Sequence, residues 1–342
     1  MRTPTKLVTA ATALTATVAL GLALAQGGQP VIGLITKTDT NPFFVKMKEG
    51  AQQQASKLGA RLMTAAGKSD GDNAGQVTAI ENMVAAGAKT ILITPSDAKA
   101  IIPAIKKAQA QGVQVIALDS PTDPASASDA LFATNNFQAG VLIGRYAKAA
   151  MGNKPLKVAT LDLFPGHPVG IQRHNGFLAG LGIKDSAGKA ITAQTPANVV
   201  GGVVVCAQDS FGDQAKGQTA MENCLQKNPD INLVYTINEP AGYGAHQALK
   251  NAGKDKSVMI VSVDGGCNGV RGVQSGVFAA TSQQYPLKMA ALGVEAGVQF
   301  ARTGKKVKSG YTDTGVNLIA AKAVSGVPSQ SVQYGLANCW GK

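Results

Sequence analysis

The sequence predicts an α/β fold built from two lobes, each a doubly wound parallel sheet with helices on both faces. The first observation is that short apolar runs alternate with longer amphipathic segments from Pro30 onward. The second is that this alternation begins again, as a new series, near Asn135. The third is length, because the roughly 317 residues beyond the first 25 are enough for two domains of ordinary size.

In the first series, strand segments that are apolar almost throughout are separated by segments with helical spacing. Asn41-Pro42 predicts the start of a helix, since Asn is a good N-cap and Pro fits the first turn. Continuous apolar strands with helices between them indicate a parallel sheet that is covered on both faces. The predicted strands are 31–36, 61–65, 90–94 and 113–118, and the predicted helices are 42–58, 73–86 and 98–111.

The second series has the same character, although no residue-level repeat relates it to the first. Its predicted strands are 157–161, 203–205, 232–236, 259–263 and 277–282. Its predicted helices are 137–151, 169–181, two that start near Asp213 and Pro240, a short one after Asp264, and 286–303. Strands and helices again alternate, so a second parallel sheet is expected.

The first 25 residues have the pattern of a signal peptide. Arg2 and Lys6 supply a short positive region, residues 7–24 are largely apolar, and Ala23-Leu24-Ala25 has the small residues of a cleavage site. A membrane anchor is the alternative, but several threonines and the cleavable end favour export. We therefore expect a periplasmic or otherwise extracytoplasmic protein, because no later stretch approaches about 20 uninterrupted apolar residues.

The positive charge is spread along the chain. The formal net charge is +12, and it falls to +10 when Arg2 and Lys6 are removed with the signal. The remaining lysines are scattered over many predicted helices, whereas nucleic-acid binders concentrate basic residues on one face or arm. We therefore expect a solvated surface and no nucleic-acid partner.

The four cysteines of an exported chain predict disulfides, for which three connectivities are possible. Cys206 ends a predicted strand and Cys224 lies in the next helix, so these two are natural neighbours. That would leave Cys267 to pair with Cys339 and attach the C-terminal tail to the body of the protein. A metal site is the weaker alternative, because the sequence has no CxxC or HxxxH spacing.

Polar residues follow the predicted strands, at the edge where open parallel sheets bind ligands. In the first series they are Lys37, Asn41, Thr94 and Asp119, and in the second Asn238-Glu239 and Asp264-Gly265-Gly266. Two facing lobes with such edges would form a cleft lined by amides, carboxylates and bases. That composition suits a neutral polyhydroxylated ligand, whose hydroxyls both donate and accept hydrogen bonds.

Asn41-Pro42-Phe43-Phe44 is the most informative local motif. A helix start explains Asn41-Pro42 but leaves two consecutive aromatic residues at a strand–helix junction unexplained. A flat aromatic ring can cover the apolar C–H face of a sugar ring without competing for its hydroxyls. Phe43 and Phe44 are therefore candidates for sugar contact, and one of them could instead belong to the core.

With these residues in place, the chain resembles the periplasmic ribose-type sugar-binding proteins of ABC importers, with the type I periplasmic binding protein fold. The resemblance covers nearly all of the mature chain, and its later segments are most similar to the fructose-binding branch. The segments that carry it are Ile32-Gly33-Leu34, Asn41-Pro42-Phe43-Phe44, Ile116-Ala117-Leu118-Asp119, Arg173 with Gly176-Phe177, Asn238-Glu239-Pro240-Ala241, Val261–Cys267, Ala280–Pro286 and Cys339-Trp340-Gly341.

The resemblance implies a set of ligand-binding residues. Carboxylates of this set would accept hydrogen bonds from adjacent hydroxyls, cations would donate, and amides would do both. The implied contacts are Lys37, Asn41, Phe43, Phe44, Asp119, Arg173, Asn238, Asp264 and Gln284, with Thr94 as a weaker match.

Three departures from the ribose binders favour another sugar. Ser120 stands where they have Arg, and Lys37 stands where they have a small polar residue. They also have a third aromatic residue near Gly212, where Phe211 is an uncertain replacement. Fructose is therefore the first expectation.

The family also implies a mechanism that involves no chemical reaction, in which two lobes close around the sugar. Chain crossings are expected near 132–135, 284–285 and 315–317, which gives an N-terminal lobe of residues 30–133 plus 285–316 and a C-terminal lobe of 134–284 plus 317–342. The implied partners are a monosaccharide and the membrane permease of an ABC importer, with a monomeric protein and no cofactor. A receptor for a sugar or signal molecule that acts through a chemoreceptor or sensor kinase is the alternative.

Two further classes are disfavoured by the sequence. A dinucleotide-dependent enzyme would need a glycine-rich first turn, but residues 37–42 read KTDTNP, and no P-loop or GxSxG motif follows. His167, His174 and His246 are expected at the surface or beside the hinge, because no nucleophile accompanies them. A sugar-responsive transcription regulator would need a DNA-binding helix pair where this chain has an export signal.

Overall fold

A computed structural model of the protein describes residues 28–195 and 202–341. The predicted signal peptide, residues 1–25, lies outside the described residues. Within them, no helix combines the length and the apolar character needed to cross a bilayer.

The strands alternate with helices along most of the described chain. In chain order the strands are β1 (Val31–Thr36), β2 (Arg61–Ala66), β3 (Thr90–Ile93), β4 (Gln114–Leu118), β5 (Ala130–Ala133), β6 (Val158–Asp162), β7 (Val204–Asp209), β8 (Leu233–Thr236), β9 (Met259–Asp264), β10 (Ala280–Gln283), β11 (Tyr311–Asp313) and β12 (Asn317–Ala320).

Nine of the α-helices in the described residues lie in connections between these strands, and the tenth follows β12. They are α1 (Pro42–Lys57), α2 (Asn73–Ala85), α3 (Ile102–Ala110), α4 (Asn136–Met151), α5 (Pro168–Leu181), α6 (Gln214–Lys227), α7 (Glu239–Asn251), α8 (Cys267–Ser275), α9 (Pro286–Thr303) and α10 (Val332–Asn338).

Among the described residues, the strands form two six-stranded sheets of related topology. The first has the order β11-β5-β4-β3-β1-β2, and all of its pairs are parallel. The second has the order β12-β10-β9-β8-β6-β7. In each sheet the second strand pairs with one edge of the first strand, and the later strands are added in turn on the other edge. This is the doubly wound arrangement predicted from the sequence.

Each sheet is covered by an apolar layer on both faces. In β3, Leu92 joins the cluster under α1 and α9, while Ile91 points into the cluster under α2 and α3. In β8, Val234 joins one cluster and Leu233 and Tyr235 join the other. This alternation follows from the two-residue period of a strand. It confirms the prediction of sheets buried on both sides.

The second sheet has one antiparallel strand at its edge. β12 pairs with β10 in the antiparallel direction. β11 and β12 are separated by only three residues, so the chain passes from one sheet to the other without the helical crossover that a parallel connection needs.

The chain also passes between the sheets after β5 and after β10, close to two of the predicted crossings. The residue bounds predicted for the two lobes stay predictions.

The two disulfides confirm the expected pairing. Cys206 on β7 is bonded to Cys224 on α6, and Cys267 at the start of α8 is bonded to Cys339. The second bond attaches the chain beyond α10 to the end of β9, where the candidate site lies.

Candidate functional site

A small cavity of about 40 Å³ lies between the carboxyl ends of the two sheets. Its lining includes nine of the ten residues proposed from the sequence. Thr94 is completely buried and is not among the residues that line it, so its contact with a ligand stays a prediction. The nine lining residues are Lys37, Asn41, Phe43, Phe44, Asp119, Arg173, Asn238, Asp264 and Gln284.

The polar residues of the cavity come from two sides. We call Lys37, Asn41, Asp70 and Asp119, which follow strands of the first sheet, the first wall. We call Arg173, Asn238, Asp264 and Gln284, which belong to the second-sheet side, the second wall.

Asp119 of the first wall directly follows β4 and has a left-handed backbone, with φ of 62°. Asp is one of the few side chains that tolerate this conformation. The Ser120 hydroxyl donates to Asp119 Oδ2 at 3.0 Å. Asp119 Oδ1 is buried and has no hydrogen-bond partner among the described residues. An acceptor of this kind is available to a ligand hydroxyl.

Lys37 connects the first wall to the opposite side of the cleft. Its Nζ lies 3.0 Å from Nε2 of His167, the residue that precedes α5, and 4.0 Å from Asp70 Oδ1. Burial and the Lys37 charge hold the pKa of His167 well below its ordinary value. The imidazole is therefore neutral and does not repel the lysine ammonium.

Asp70 and His167 were not predicted as site residues. Asp70 lies in the loop before α2, and Asp72 of the same loop caps that helix. The position of Asp70 just beyond β2, at the same sheet edge as Lys37 and Asp119, was the available signal. His167 was expected at the surface or beside the hinge, but it is 3% exposed.

Asn41, Phe43 and Phe44 are placed by the start of α1. Asn41 is the N-cap, and its Oδ1 accepts from the Phe43 N–H at 3.0 Å, which leaves its Nδ2 for a ligand. The two phenyl rings meet edge to face at 5.4 Å between centroids. Both line the cavity and both belong to the core of the first sheet, so a ligand-facing role and a core role coincide here.

In the second wall, Arg173 is held by acceptors on three sides. Its Nε donates to Asn136 Oδ1 at 2.8 Å, its Nη1 to the Ile237 carbonyl at 3.0 Å, and its Nη2 to Gln284 Oε1 at 3.2 Å. Its Nη1 also lies 3.9 Å from Asp264 Oδ1. The planar guanidinium is thus fixed in one orientation before a ligand binds.

Asp264 is held by the same network. Gln284 Nε2 donates to Asp264 Oδ1 at 2.8 Å, and the Glu239 N–H lies 3.4 Å from Asp264 Oδ2. Burial raises the pKa of Asp264 to about 6, although the Arg173 charge opposes this shift. Asp264 can therefore exist in either protonation state close to neutral pH.

Glu239 and Asn238 support the second wall from behind and from the side. Glu239 accepts hydrogen bonds from the Gly265 N–H at 2.8 Å and the Thr281 hydroxyl at 2.8 Å. Burial and the nearby Asp264 raise the pKa of Glu239 well above its ordinary value. Asn238 caps α7 and donates from Nδ2 to the Gly212 carbonyl at 3.0 Å. These contacts fix the turn that follows β9.

Comparison with known proteins identifies the family. The model of the family described as the periplasmic binding protein domain matches residues 32–306. The chain belongs to this family.

Several relatives of this periplasmic binding protein are sugar binders. The ribose import binding protein RbsB of Haemophilus influenzae is 32% identical over 300 residues, which are 87% of this chain and 95% of that protein. The D-allose-binding periplasmic protein of Escherichia coli is 27% identical, and the match covers 80% of this chain and 85% of that protein.

Among solved structures, an ABC transporter periplasmic solute binding protein from Actinobacillus succinogenes 130z with bound D-allose is similar. It has a TM-score of 0.72 and 27% identity, and the match covers 84% of this chain and 97% of that chain. The family and these relatives are binding proteins of importers. The prediction that the chain is not an enzyme is therefore confirmed.

The C-terminal tail of this periplasmic binding protein packs beside residues that line the cavity. The Trp340 indole N–H donates to the Gln284 carbonyl at 2.9 Å. The Trp340 ring packs edge to face on Phe43, with 5.7 Å between centroids, and it joins the core cluster of the first sheet. The Cys267–Cys339 bond thus holds a side chain that contacts both sides of the cleft.

A larger groove of about 850 Å³ lies outside the cavity. Asn41, Asp70 and Asp264 line both the groove and the cavity, so the groove is the mouth of the candidate site. Phe211, the uncertain third aromatic residue, lines only the groove. Its ring stacks on Phe164 at 5.8 Å. Phe211 therefore lies at the mouth rather than in the cavity.

Proposed function

We propose that this protein is an exported receptor that captures a monosaccharide between its two sheets and delivers it to the permease of an ABC importer. The observation that carries the proposal is the composition of the cavity. Carboxylates, amides and cations from both sides converge there beside two phenyl rings. The family and the ribose- and allose-binding relatives support the same class of ligand.

The energetics of such a site are sufficient for a transport receptor. A hydrogen bond between a ligand hydroxyl and a charged side chain contributes roughly 1.5–3 kcal/mol. Three or four such bonds, at Asp119, Asp264, Lys37 and Arg173, would give micromolar binding near about −8 kcal/mol. Phe43 and Phe44 would cover the apolar face of the sugar ring. No bond in the sugar is made or broken, so delivery depends on closure and release.

We propose that closure brings the two walls together on the sugar. The contact between Lys37 and His167, which follow strands of different sheets, is one that the closed protein would use. A ligand favours closure only if it interacts better with the closed state than with the open state. Contacts to both walls meet that condition. If small-angle scattering showed no compaction on saturation with a tight ligand, closure would be excluded.

Fructose is our first choice of sugar, and ribose and allose are its competitors. The choice rests on the three departures from ribose binders given above. Ser120 is buried and bonded to Asp119, so the short hydroxyl side chain leaves space beside the carboxylate that a longer Arg would occupy. Lys37 adds a cationic donor to the first wall. A sugar with more hydroxyls than ribose would use both features.

Calorimetric titration of residues 26–342 tests the proposal. The protein, stripped of co-purified ligand, is titrated with fructose, ribose, allose, glucose, galactose, xylose and inositol. We expect micromolar or tighter binding of one sugar, fructose first. Binding of ribose or allose alone would keep the receptor function and exclude fructose. No binding across the panel would refute the monosaccharide function.

A further inference from the structure

Asp70, which lies between β2 and α2, is held in a fixed position at the first wall. Asp72 caps the following helix through the Gly75 N–H at 3.0 Å. The other carboxylate oxygen of Asp72 accepts from the Lys68 N–H at 2.9 Å. The backbone of the loop is therefore bonded on both sides of Asp70, which places this residue at the first wall.

The Asp70 carboxylate has an unused acceptor. Its side chain is 13% exposed, and Oδ1 is buried without a hydrogen-bond partner in the described part of the chain. The Lys37 ammonium is 4.0 Å from this oxygen, which is beyond hydrogen-bond distance. Burial raises the pKa of Asp70, and the Asp119 charge adds to this, although Lys37 opposes it.

Asp70 and Asp119 present their unpaired oxygens to the same cavity but from different depths. Asp119 lines the cavity but not the groove, whereas Asp70 lines both the cavity and the groove at its mouth. The Asp119 oxygen is therefore placed for a ring hydroxyl deep in the site. The Asp70 oxygen is placed for the part of the ligand that is nearest the groove.

We propose that Asp70 determines specificity by accepting a hydrogen bond from the hydroxymethyl group that a hexose carries in addition to a pentose. This inference rests on the proposed sugar-binding function. Fructose has one hydroxymethyl group more than ribose in the same ring form, and allose has one more when both sugars are pyranoses. A substituent of this kind projects from the ring and carries a flexible hydroxyl donor, which suits an acceptor at the mouth. The ligand class is thus a hexose, and fructose and allose both belong to it.

A purely structural role for Asp70 predicts a different pattern. If its charge served only to position Lys37, removal of the carboxylate would lower the affinities for pentoses and hexoses equally. If it only stabilised the loop, removal would lower the thermal stability without selecting among sugars. A comparison of several sugars on the same variants therefore separates the two roles.

The test is calorimetric titration of the wild type, Asp70→Ala and Asp70→Asn with fructose, allose and ribose. Asp70→Ala should lower the affinity for the hexose that the wild type binds by about 10- to 100-fold. The affinity for ribose should fall by less than about threefold. Asp70→Asn keeps an acceptor oxygen, so its loss should be smaller, about 3- to 10-fold. Asp39→Ala is the matched control, because it removes the same charge from an exposed position nearby.

Each other outcome overturns the inference. An unchanged hexose affinity, or an equal loss for ribose and the hexose, would exclude Asp70 as a specificity determinant. A wild-type protein that binds ribose but no hexose would do the same while the proposed function stood. A wild-type protein that binds none of these sugars and none of the wider panel would refute the proposed function itself.

Discussion

The two walls of the cavity differ in how their polar atoms are satisfied. In the second wall, Arg173, Asp264 and Gln284 bond to one another before any ligand binds. In the first wall, Asp70 and Asp119 each keep a buried oxygen without a partner among the described residues. A bonded network is rigid and preorganised, whereas an unpaired acceptor costs stability until a ligand satisfies it. We infer that the second wall maintains the shape of the site, and that hydrogen bonds from the sugar add most stability at the first wall.

The largest expected effect is the loss of the central cation in the second wall. Arg173→Met leaves Asp264 buried without its charge partner and removes the donors to Ile237 and Gln284. Breaking a buried pair in this way should lower the free energy of unfolding by about 3–5 kcal/mol, as measured by urea denaturation. Arg145→Met, at an exposed position of α4, is the control and should change little. A loss below about 1 kcal/mol for Arg173→Met would show that the second wall is not the rigid one.

The two disulfides should separate stability from binding. On the chain-entropy account, loss of Cys267–Cys339, which spans 72 residues, lowers stability by about 4 kcal/mol. Loss of Cys206–Cys224, which spans 18, lowers it by about 3 kcal/mol.

Loss of Cys267–Cys339, but not of Cys206–Cys224, should also weaken sugar binding, by about tenfold. The reason is that Cys339 holds Trp340 against Phe43 and Gln284. Paired Cys→Ala variants, compared by denaturation and titration, test this. Equal affinities in the two variants would exclude a role for the tail in the site.

Asp264→Ala should remove most of the affinity that the second wall provides. Loss of a carboxylate that accepts paired hydroxyls should raise the Kd at least about 100-fold, so that a micromolar ligand is no longer detected. The circular dichroism should be unchanged, because Asp264 ends β9 without belonging to an apolar cluster of the core. Unaltered affinity would remove Asp264 from the site.

Much of the fold followed from the sequence because its signals were local. The alternating apolar strands and amphipathic helices predicted both sheets. The strands that were not predicted, β5, β11 and β12, have only three or four residues each, and β11 is exposed throughout, so it carries no apolar run. The antiparallel direction of β12 depends on a three-residue connection between sheets rather than on any property of its own residues.

The candidate site was predictable where a residue directly follows a strand, as Lys37 and Asp119 do. Asp70 is separated from β2 by three residues of loop, and only the fold of that loop returns its carboxylate to the cavity. His167 meets Lys37 across 130 residues of sequence, a contact that requires both sheets to be in place. The position of Asp70 after β2 is a weak local signal, whereas no local pattern points to the His167 contact.

Asp119→Asn should separate binding from stability in the first wall. Asn tolerates the left-handed backbone at this position and retains the shape of the side chain. Because the unpaired buried charge disappears, the free energy of unfolding should stay constant or rise by about 1 kcal/mol. Sugar affinity should nevertheless fall about tenfold, because a neutral amide oxygen is a weaker acceptor. A clear loss of stability would place Asp119 with the bonded residues of the second wall.

The smallest expected effect is a pH dependence of sugar binding that arises from Asp264 in the second wall. Because burial raises the folded-state pKa of Asp264 to about 6, this carboxyl favours folding below its unfolded value of 3.8, and that contribution is lost as the pH rises through about 6. Sugar binding has the opposite sign, since the acceptor is the carboxylate. Affinity should therefore weaken on acidification below about pH 6, approaching tenfold per pH unit.

Titrations between about pH 5 and about pH 8 measure this dependence. Asp264→Asn, which cannot ionise, supplies the control if its residual binding is followed at high sugar concentration. Its affinity should vary less with pH than that of the wild type. If the two proteins lost affinity in parallel, another group would be responsible. Asp70 of the first wall would be the next to test, because burial raises the pKa of its carboxyl as well.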